Sequence, residues 1–432
     1  MKPALDRSYF PHWKLRTEGV IAPDERLPAP QTLALGLQHV VAMFGSTVLA
    51  PLLMGFNPNV AILFSGIGTL IFFALVGGRV PSYLGSSFAF IAVVIAATGY
   101  AGSGANADLG VALGGIIAAG VVYAIIGLIV MAAGYAWIDR LMPPVVTGSI
   151  VAVIGLNLAP IAVKGISAGA LDTWIGLATI VMVGLIAVRA PGLARRLPIL
   201  LGGVGGYVLY ALCANVLALG KPIDFSSVVA ATWIGLPSLT FPVWNAKAIG
   251  LIAPVAVVLV AENLGHIKAV AAMTGQNLDA FLGRAFVGDG IATIVAGSGG
   301  GTGVTTYAEN IGVMAVTKVY STLLFVVAAL FAIVLGFSPK FGALIMTIPG
   351  PVLGGLSIVV FGLITATGGR IWVQNRVDFS RARNLVTAAV TLTIGAGDLG
   401  LKLGAFTLGG IGTATFGAII LYQLFRDAPQ SE

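Results

Sequence analysis

The chain has 432 residues, 58% of them hydrophobic and 9% charged, with a formal net charge of +7. Soluble domains carry roughly 25% charged residues, so the composition excludes a soluble globular protein and reads as a chain embedded in a bilayer. Its lone cysteine, Cys213, excludes an internal disulfide, and no Cys/His cluster has zinc or iron spacing, so no metal is expected.

The first thirty residues hold Lys2, Asp6, Arg7, Lys14, Arg16, Glu18, Asp24, Glu25 and Arg26 without an apolar stretch. They lack the pattern of a cleaved signal peptide, so the chain is expected to begin at or near Met1 with a tail over 1–30. After Gln31, apolar runs of about 17 to 25 residues, enough to cross about 30 Å of hydrocarbon as helix, fill almost everything. Predicted crossings lie at 32–55, 59–78, 84–100, 109–133, 142–163, 171–189 and 197–218 in the first half. Those of the second half lie at 247–272, 284–298, 301–317, 319–338, 341–365, 382–398 and 404–425, making about fourteen.

An even number of crossings puts both termini on one face. Of the 23 Lys and Arg, eighteen then fall on the terminal side, from Lys2 and Arg7 to Arg426, and five opposite: Lys164, Lys221, Lys247, Lys340 and Lys402. Positive charge gathers on the cytoplasmic face, so both termini are expected there. Distributed this way, the charge gives no reason to expect a nucleic-acid partner.

The chain also repeats itself. Pro144–Leu156 (PVVTGSIVAVIGL) and Pro351–Leu363 (PVLGGLSIVVFGL) share the frame P-V-x-x-G-x6-G-L, and Phe64–Gly68 matches Phe286–Gly290 as F-x-G-x-G. Each match pairs a crossing with the one seven places later. Seven is odd, so the second copy enters from the opposite face, the arrangement of secondary transporters with a mid-membrane site between broken helices.

The third and tenth crossings, PSYLGSSFAFIAVV and the stretch around Glu309, are partners in that repeat. Thr302, Val304, Thr305, Thr306 and Tyr307 favour strand, and Gly299, Gly300, Gly301 and Gly303 admit turns. An extended Thr302–Ala308 followed by a helix from Asn310 is expected, with a matching half-strand through Gly85, Ser86 and Ser87 that turns helical near Phe88. The fold expected is an all-α polytopic membrane protein of about fourteen segments in a 7+7 inverted repeat, with two short antiparallel half-strands in spans 3 and 10. Two helix N-termini then face one pocket, and Glu309 sits where one begins.

Glu262 and His266 in AENLGH are four residues apart, on one helix face, close enough for the carboxylate to bond the imidazole. Ionisable groups in spans cost about 2.5 to 3.5 kcal/mol at a helix centre and mark functional candidates. Other residues have plainer readings: His39, with Gln38, as a helix-packing histidine bonded to a carbonyl or equally as a substrate contact, Lys318 as a snorkelling lysine, and Asp289 as a proton-path residue or a partner of Lys318. His12 and Arg376 to Arg383 read as solvated, and Gly409, Gly410, Gly412 and Gly417 as close helix packing. No HExxH or cysteine-based nucleophile motif is present, so an enzyme is not expected.

At these residues the chain resembles the nucleobase-cation symporter family, also called the nucleobase-ascorbate transporters. The resemblance lies in Glu309, Asn310, Gly312, Thr317 and Lys318, in Gln38-His39, in YLGSSFAF and in AENLGH, the last three as in the family's uracil permeases. FPHWKL and APDERLP further resemble the pyrimidine permeases of bacterial pyrimidine-utilisation pathways. The resemblance implies a core domain over 31–133 and 247–338, a gate domain over 134–246 and 339–426, and a cytoplasmic tail at 427–432. It implies a proton-coupled importer of uracil, without further cofactor, in the bacterial inner membrane, and a homodimer joined through the gate domains. The implied substrate-binding set is Glu262, Glu309, Phe88, Ala308 and Tyr307, and the proton-coupling set is Glu262, His266, Glu309 and Asp289. Ala308 stands where uracil permeases carry glycine, and Asp289 looks like purine-type members, which keeps a purine symporter as the alternative. An anion exchanger of similar fold ranks lower, because Glu309 repels an anion.

Overall fold

The structure, a computed structural model, describes residues 8–425 except Ser103, Leu193, Gly404 and Ala405. Lys2, Asp6 and Arg7 of the first tail, Arg426 and the tail at 427–432 lie outside the described residues. The N-terminal segment pairs β1 (Lys14–Leu15) with β2 (Glu25–Arg26) in parallel. It then leads into α1 (Ala29–Met54) and α2 (Pro58–Leu75). Asn57 caps α2 by accepting from the Asn59 N–H, with Pro58 in the first turn, where a missing N–H costs nothing.

There follow β3 (Leu84–Ser86), α3 (Ala89–Thr98), α4 (Leu109–Ala133), α5 (Ala136–Leu141), α6 (Pro144–Ile166), α7 (Ala170–Arg189), α8 (Pro198–Ala211) and α9 (Ser226–Ala230). The second half holds α10 (Ala246–Ile252), α11 (Val255–Thr274), α12 (Leu282–Ser298), β4 (Val304–Thr306), α13 (Ala308–Thr317), α14 (Thr322–Gly336) and α15 (Pro339–Met346). Last come α16 (Gly350–Gln374), α17 (Ala382–Ala396), β5 (Leu401–Leu403), β6 (Phe406–Leu408) and α18 (Gly410–Leu424). Among the described residues, nine helical stretches are long and apolar enough to cross a membrane, or ten if α14 and α15, bent by 82°, form one span. α3, α13, α14, α17 and α18 are shorter.

Three boundaries differ from the sequence expectation, each for a local reason. The crossing placed at 341–365 is α16, which starts at Gly350 with Pro351 in its first turn, while Pro339 opens the separate α15. The run at 404–425 becomes helical only at Gly410, because the alternating LKL and FTL pair as the antiparallel β5 and β6. α13 starts at Ala308, two residues before Asn310, so Glu309 lies inside its first turn. Arg383 is not simply solvated: its guanidinium lies 3.5 Å from the Tyr422 ring centroid and donates to the Tyr422 carbonyl.

α4 packs on α12, α2 on α14 and α6 on α16. Small residues let backbones approach in a bilayer, where no hydrophobic force drives helix to helix. At Gly290 an added Cβ would lie 2.6 Å from the Ala124 nitrogen and 2.7 Å from the Gly120 oxygen. Of the glycines singled out near the C-terminus, Gly410 packs closely, a Cβ there lying 2.6 Å from the Asp398 Cα, whereas Gly409 and Gly412 meet only ordinary contacts at 3.5 Å and beyond and Gly417 has nothing within 4 Å. Gly290→Ala is therefore expected to lower the melting temperature of the purified protein by several degrees, as overpacking costs about 1–3 kcal/mol, whereas Gly417→Ala leaves it unchanged. Thermal unfolding of both variants in one detergent checks this.

Candidate functional site

The two half-strands cross in the interior. β3 and β4 pair antiparallel with Leu84 opposite Thr306, Gly85 opposite Thr305 and Ser86 opposite Val304. Backbone bonds extend the pair at both ends, from Ser87 N–H to the Gly303 carbonyl and from Tyr307 N–H to the Tyr83 carbonyl, each 3.0 Å. The outer edges meet threonines: Leu84 N–H donates to Thr69 Oγ1 of α2 at 2.9 Å, and Val304 N–H to Thr293 Oγ1 of α12 at 3.1 Å. All six strand residues are buried, so these bonds replace the water that the backbone otherwise requires. Gly85 is needed for a close approach, since a Cβ there would lie 2.5 Å from the Tyr307 ring.

Beyond the crossing each chain turns helical. Phe88 precedes α3 and Tyr307 precedes α13, and neither caps its helix with its side chain, although Ser87 Oγ accepts from the Ala89 N–H at 3.3 Å. Their first N–H groups and positive dipole ends lie beside a small cavity of about 50 Å³. It is lined by Ser86, Ser87 and Phe88, by Thr306 to Glu309, by Glu262 and His266 of α11, and by Val151, Ile154, Ile364 and Thr367 of α6 and α16. The structure thus brings together Glu262, Glu309, His266, Phe88, Ala308 and Tyr307.

Each ionisable group there has a hydroxyl partner. Ser87 Oγ donates to Glu262 Oε2 at 3.1 Å, and Ser46 Oγ of α1 donates to Glu309 Oε1. His266 Nδ1 pairs with Thr306 Oγ1 at 3.0 Å. The expected bond between Glu262 and His266 does not form among the described residues: four-residue spacing puts them side by side on α11, but each turns to a hydroxyl at a strand end. Tyr307 spends its hydroxyl on the frame, donating to the Ser86 carbonyl and accepting from Thr47 Oγ1, both at 3.0 Å. The Phe88 ring packs edge-on against Phe361, centroids 5.7 Å apart and planes at 84°.

The other singled-out residues stand outside this cavity. Asn310 Nδ2 donates to His39 Nδ1 at 3.0 Å and to the His39 carbonyl at 3.1 Å, so His39 ties α1 to α13 as a packing histidine. Gln38 is buried nearby. Gly312 is exposed, Thr317 Oγ1 bonds back to the Val313 carbonyl, and Lys318 ends α13 in a left-handed conformation. Asp289 is fully buried behind β4 and does not pair with the exposed Lys318. Its Oδ2 instead accepts from Asn263 Nδ2 at 2.7 Å, Tyr123 OH at 3.3 Å and Thr305 Oγ1 at 3.4 Å. Because Thr306 Oγ1 donates to Asn263 Oδ1 at 3.1 Å, a continuous polar chain runs from Asp289 to His266.

Sequence reasoning missed Ser46, Thr47, Ser87, Asn263, Tyr123 and the hydroxyls of Thr305 and Thr306. The sign was present for Ser46-Thr47, a polar pair inside the apolar FGSTVLA, and for Asn263 beside Glu262. A wider cavity of about 610 Å³ between α1, α13 and the start of α8 also reaches Glu309, with Arg195 on its wall. Among the described residues, no group of three His, Cys, Asp or Glu is arranged for a metal ion. Carboxylate acceptors, hydroxyls and helix N-terminal N–H groups around one small cavity suit a small neutral molecule that carries both donors and acceptors.

The comparisons with known proteins agree with a transport role. Residues 30–402 match the permease family model Xan_ur_permease. The chain is 64% identical to "Putative pyrimidine permease RutG" of Escherichia coli strain K12, over 98% of each chain. It is 42% identical to the uracil permease of Paenibacillus larvae, over 94% of this chain and 97% of that one. In fold alone it resembles the murine Slc26a9 anion transporter, with TM-score 0.68 and 12% identity over 92% of this chain and 68% of that one. The transmembrane domain of the cyanobacterial bicarbonate transporter BicA is similar at TM-score 0.61 and 18% identity, over 85% of this chain and 96% of that one. The chain belongs to this permease family: it is a multi-pass membrane transporter and not an enzyme.

Proposed function

We propose that the protein is a proton-coupled symporter that imports uracil, and related pyrimidine bases, across the bacterial cytoplasmic membrane. The carrying observation is that Glu262 and Glu309 line one cavity beside the starts of α3 and α13. Uracil presents two N–H donors and two carbonyl acceptors on a flat ring. Carboxylates take the donors, the N–H groups near Phe88 and Ala308 take the carbonyls, and a base with a different edge leaves buried groups unpaired. The names of the relatives, pyrimidine and uracil permeases, support the same substrate class. Asp289 stands behind the strand and not in the cavity, so it gives a purine no contact, and two carboxylates disfavour an anion.

The pairwise packing supports fourteen crossings in a 7+7 inverted repeat. Exchanging each crossing for its partner turns α4 on α12 into α14 on α2, α7 on α8 into α17 on α18, and α7 on α16 into α17 on α6, and all these contacts occur. On this reading α1–α4 and α10–α14 are the core that carries the site, and α6–α8 and α16–α18 are the gate against which it moves. Both termini are cytoplasmic, as the distribution of Lys and Arg supports. A second copy docks on the gate, whose α7 and α8 expose Val181, Leu185, Val204 and Val208. No further cofactor takes part. A proton enters with the base through Glu262, His266 and Glu309, and the chain from His266 to Asp289 extends that set.

In proteoliposomes, Glu262→Ala and Glu309→Ala are expected to lower uracil uptake more than about tenfold while inserting normally, since a hydrogen bond to a buried charge is worth about 1.5–3 kcal/mol. Normal uptake by either variant refutes the site. Uracil accumulation is expected to collapse when a protonophore dissipates the gradient, and accumulation that persists refutes proton coupling. Unlabelled uracil should compete with labelled uracil far better than xanthine does, and the reverse order favours the purine reading.

A further inference from the structure

The α1 face of the site carries two adjacent hydroxyls in an apolar stretch, and they do different work. Thr47 bonds the Tyr307 hydroxyl and so steadies the strand crossing. Ser46, fully buried, donates to Glu309 Oε1. Glu309 lines both the small cavity and the wider one, so its carboxylate has two directions open to it. We propose that Ser46 is a positioning residue for substrate binding, holding the Glu309 carboxylate so that its other oxygen meets the ring. This inference rests on the reading of Glu309 as a base-binding carboxylate.

The geometry supports such a division of labour. A carboxylate offers two oxygens with about four acceptor positions, and a donor fixed on one oxygen orients the other. Glu262 has the same arrangement with Ser87, so each carboxylate of the cavity has one serine donor from a different element. The Asn310 bonds to His39 join α1 to α13 one residue further on, so Ser46 and Glu309 travel together when the site moves. Pre-orientation of this kind raises affinity by cutting the freedom lost on binding.

The test compares Ser46→Ala and Ser46→Thr with the unaltered protein in uracil uptake by proteoliposomes. Ser46→Ala is expected to raise KM about tenfold with Vmax within about twofold, the pattern of lost uniform binding, and Ser46→Thr, which keeps the hydroxyl, to restore it. A second readout does not depend on transport: the infrared carboxylate band of Glu309, identified by its loss in Glu309→Gln, should shift in Ser46→Ala. An unchanged KM, a fall in Vmax alone or an unmoved band each overturns the proposal. Failure of the unaltered protein to take up any pyrimidine base would instead sink the functional reading, and the infrared band then still tests the Ser46 contact.

Discussion

Every backbone N–H and C=O inside a bilayer needs a partner from the protein, because hydrocarbon supplies none. Two chain segments that stop being helical in mid-span must therefore find each other or something equivalent. Leu84–Ser86 and Val304–Thr306 do so as a two-strand ladder, and the rest of the site follows from it. Where the ladder ends, α3 and α13 begin, and neither is capped by the side chain of its N-cap residue, Phe88 or Tyr307; Ser87 Oγ accepts from the Ala89 N–H of α3 at 3.3 Å. The same constraint that forbids open backbone in lipid thus creates, at one place, a set of donors fixed against a cavity.

Those donors make carboxylates tolerable there. Glu309 lies in the first turn of α13, where the helix dipole favours negative charge, and Glu262 faces it from α11. Neither acid has a salt-bridge partner among the described residues; each has a serine instead. A lysine or arginine in their place would occupy the acceptor positions that a neutral ring must use. The deeper network around Asp289 is built similarly, from an amide, two threonines and a tyrosine. The likeness to anion and bicarbonate transporters extends to fold alone.

Much of this was legible because polar residues in a strongly apolar chain stand out. Glu262, His266, Glu309 and the glycines before it could be singled out without coordinates, and strand-favouring residues followed by helix formers marked the break near Tyr307. Pairing was not legible. Four-residue spacing correctly put Glu262 and His266 on one face of α11, yet which hydroxyl each turns to depends on where α1 and β3 lie, and spacing along one helix carries no such information. Ser46, Ser87 and Thr306 resemble many other hydroxyls of the chain. Boundaries near Pro339, Pro351 and Gly410 were misplaced because hydropathy runs on across turns that proline and a short hairpin impose. Close packing of Gly290 on α4, against the open setting of Gly417, likewise depends on what lies opposite.

In the proposed binding mode a flat neutral ring is held between two carboxylates and two helix starts. The most direct measurement is an experimental structure of the protein with uracil bound. The ring is expected in the cavity beside Phe88 and Ala308, its N–H groups on Glu262 and Glu309 and its carbonyls toward the backbone N–H groups at the starts of α3 and α13. A ring seated elsewhere, or an unbroken helix through Thr302–Thr317, would contradict it.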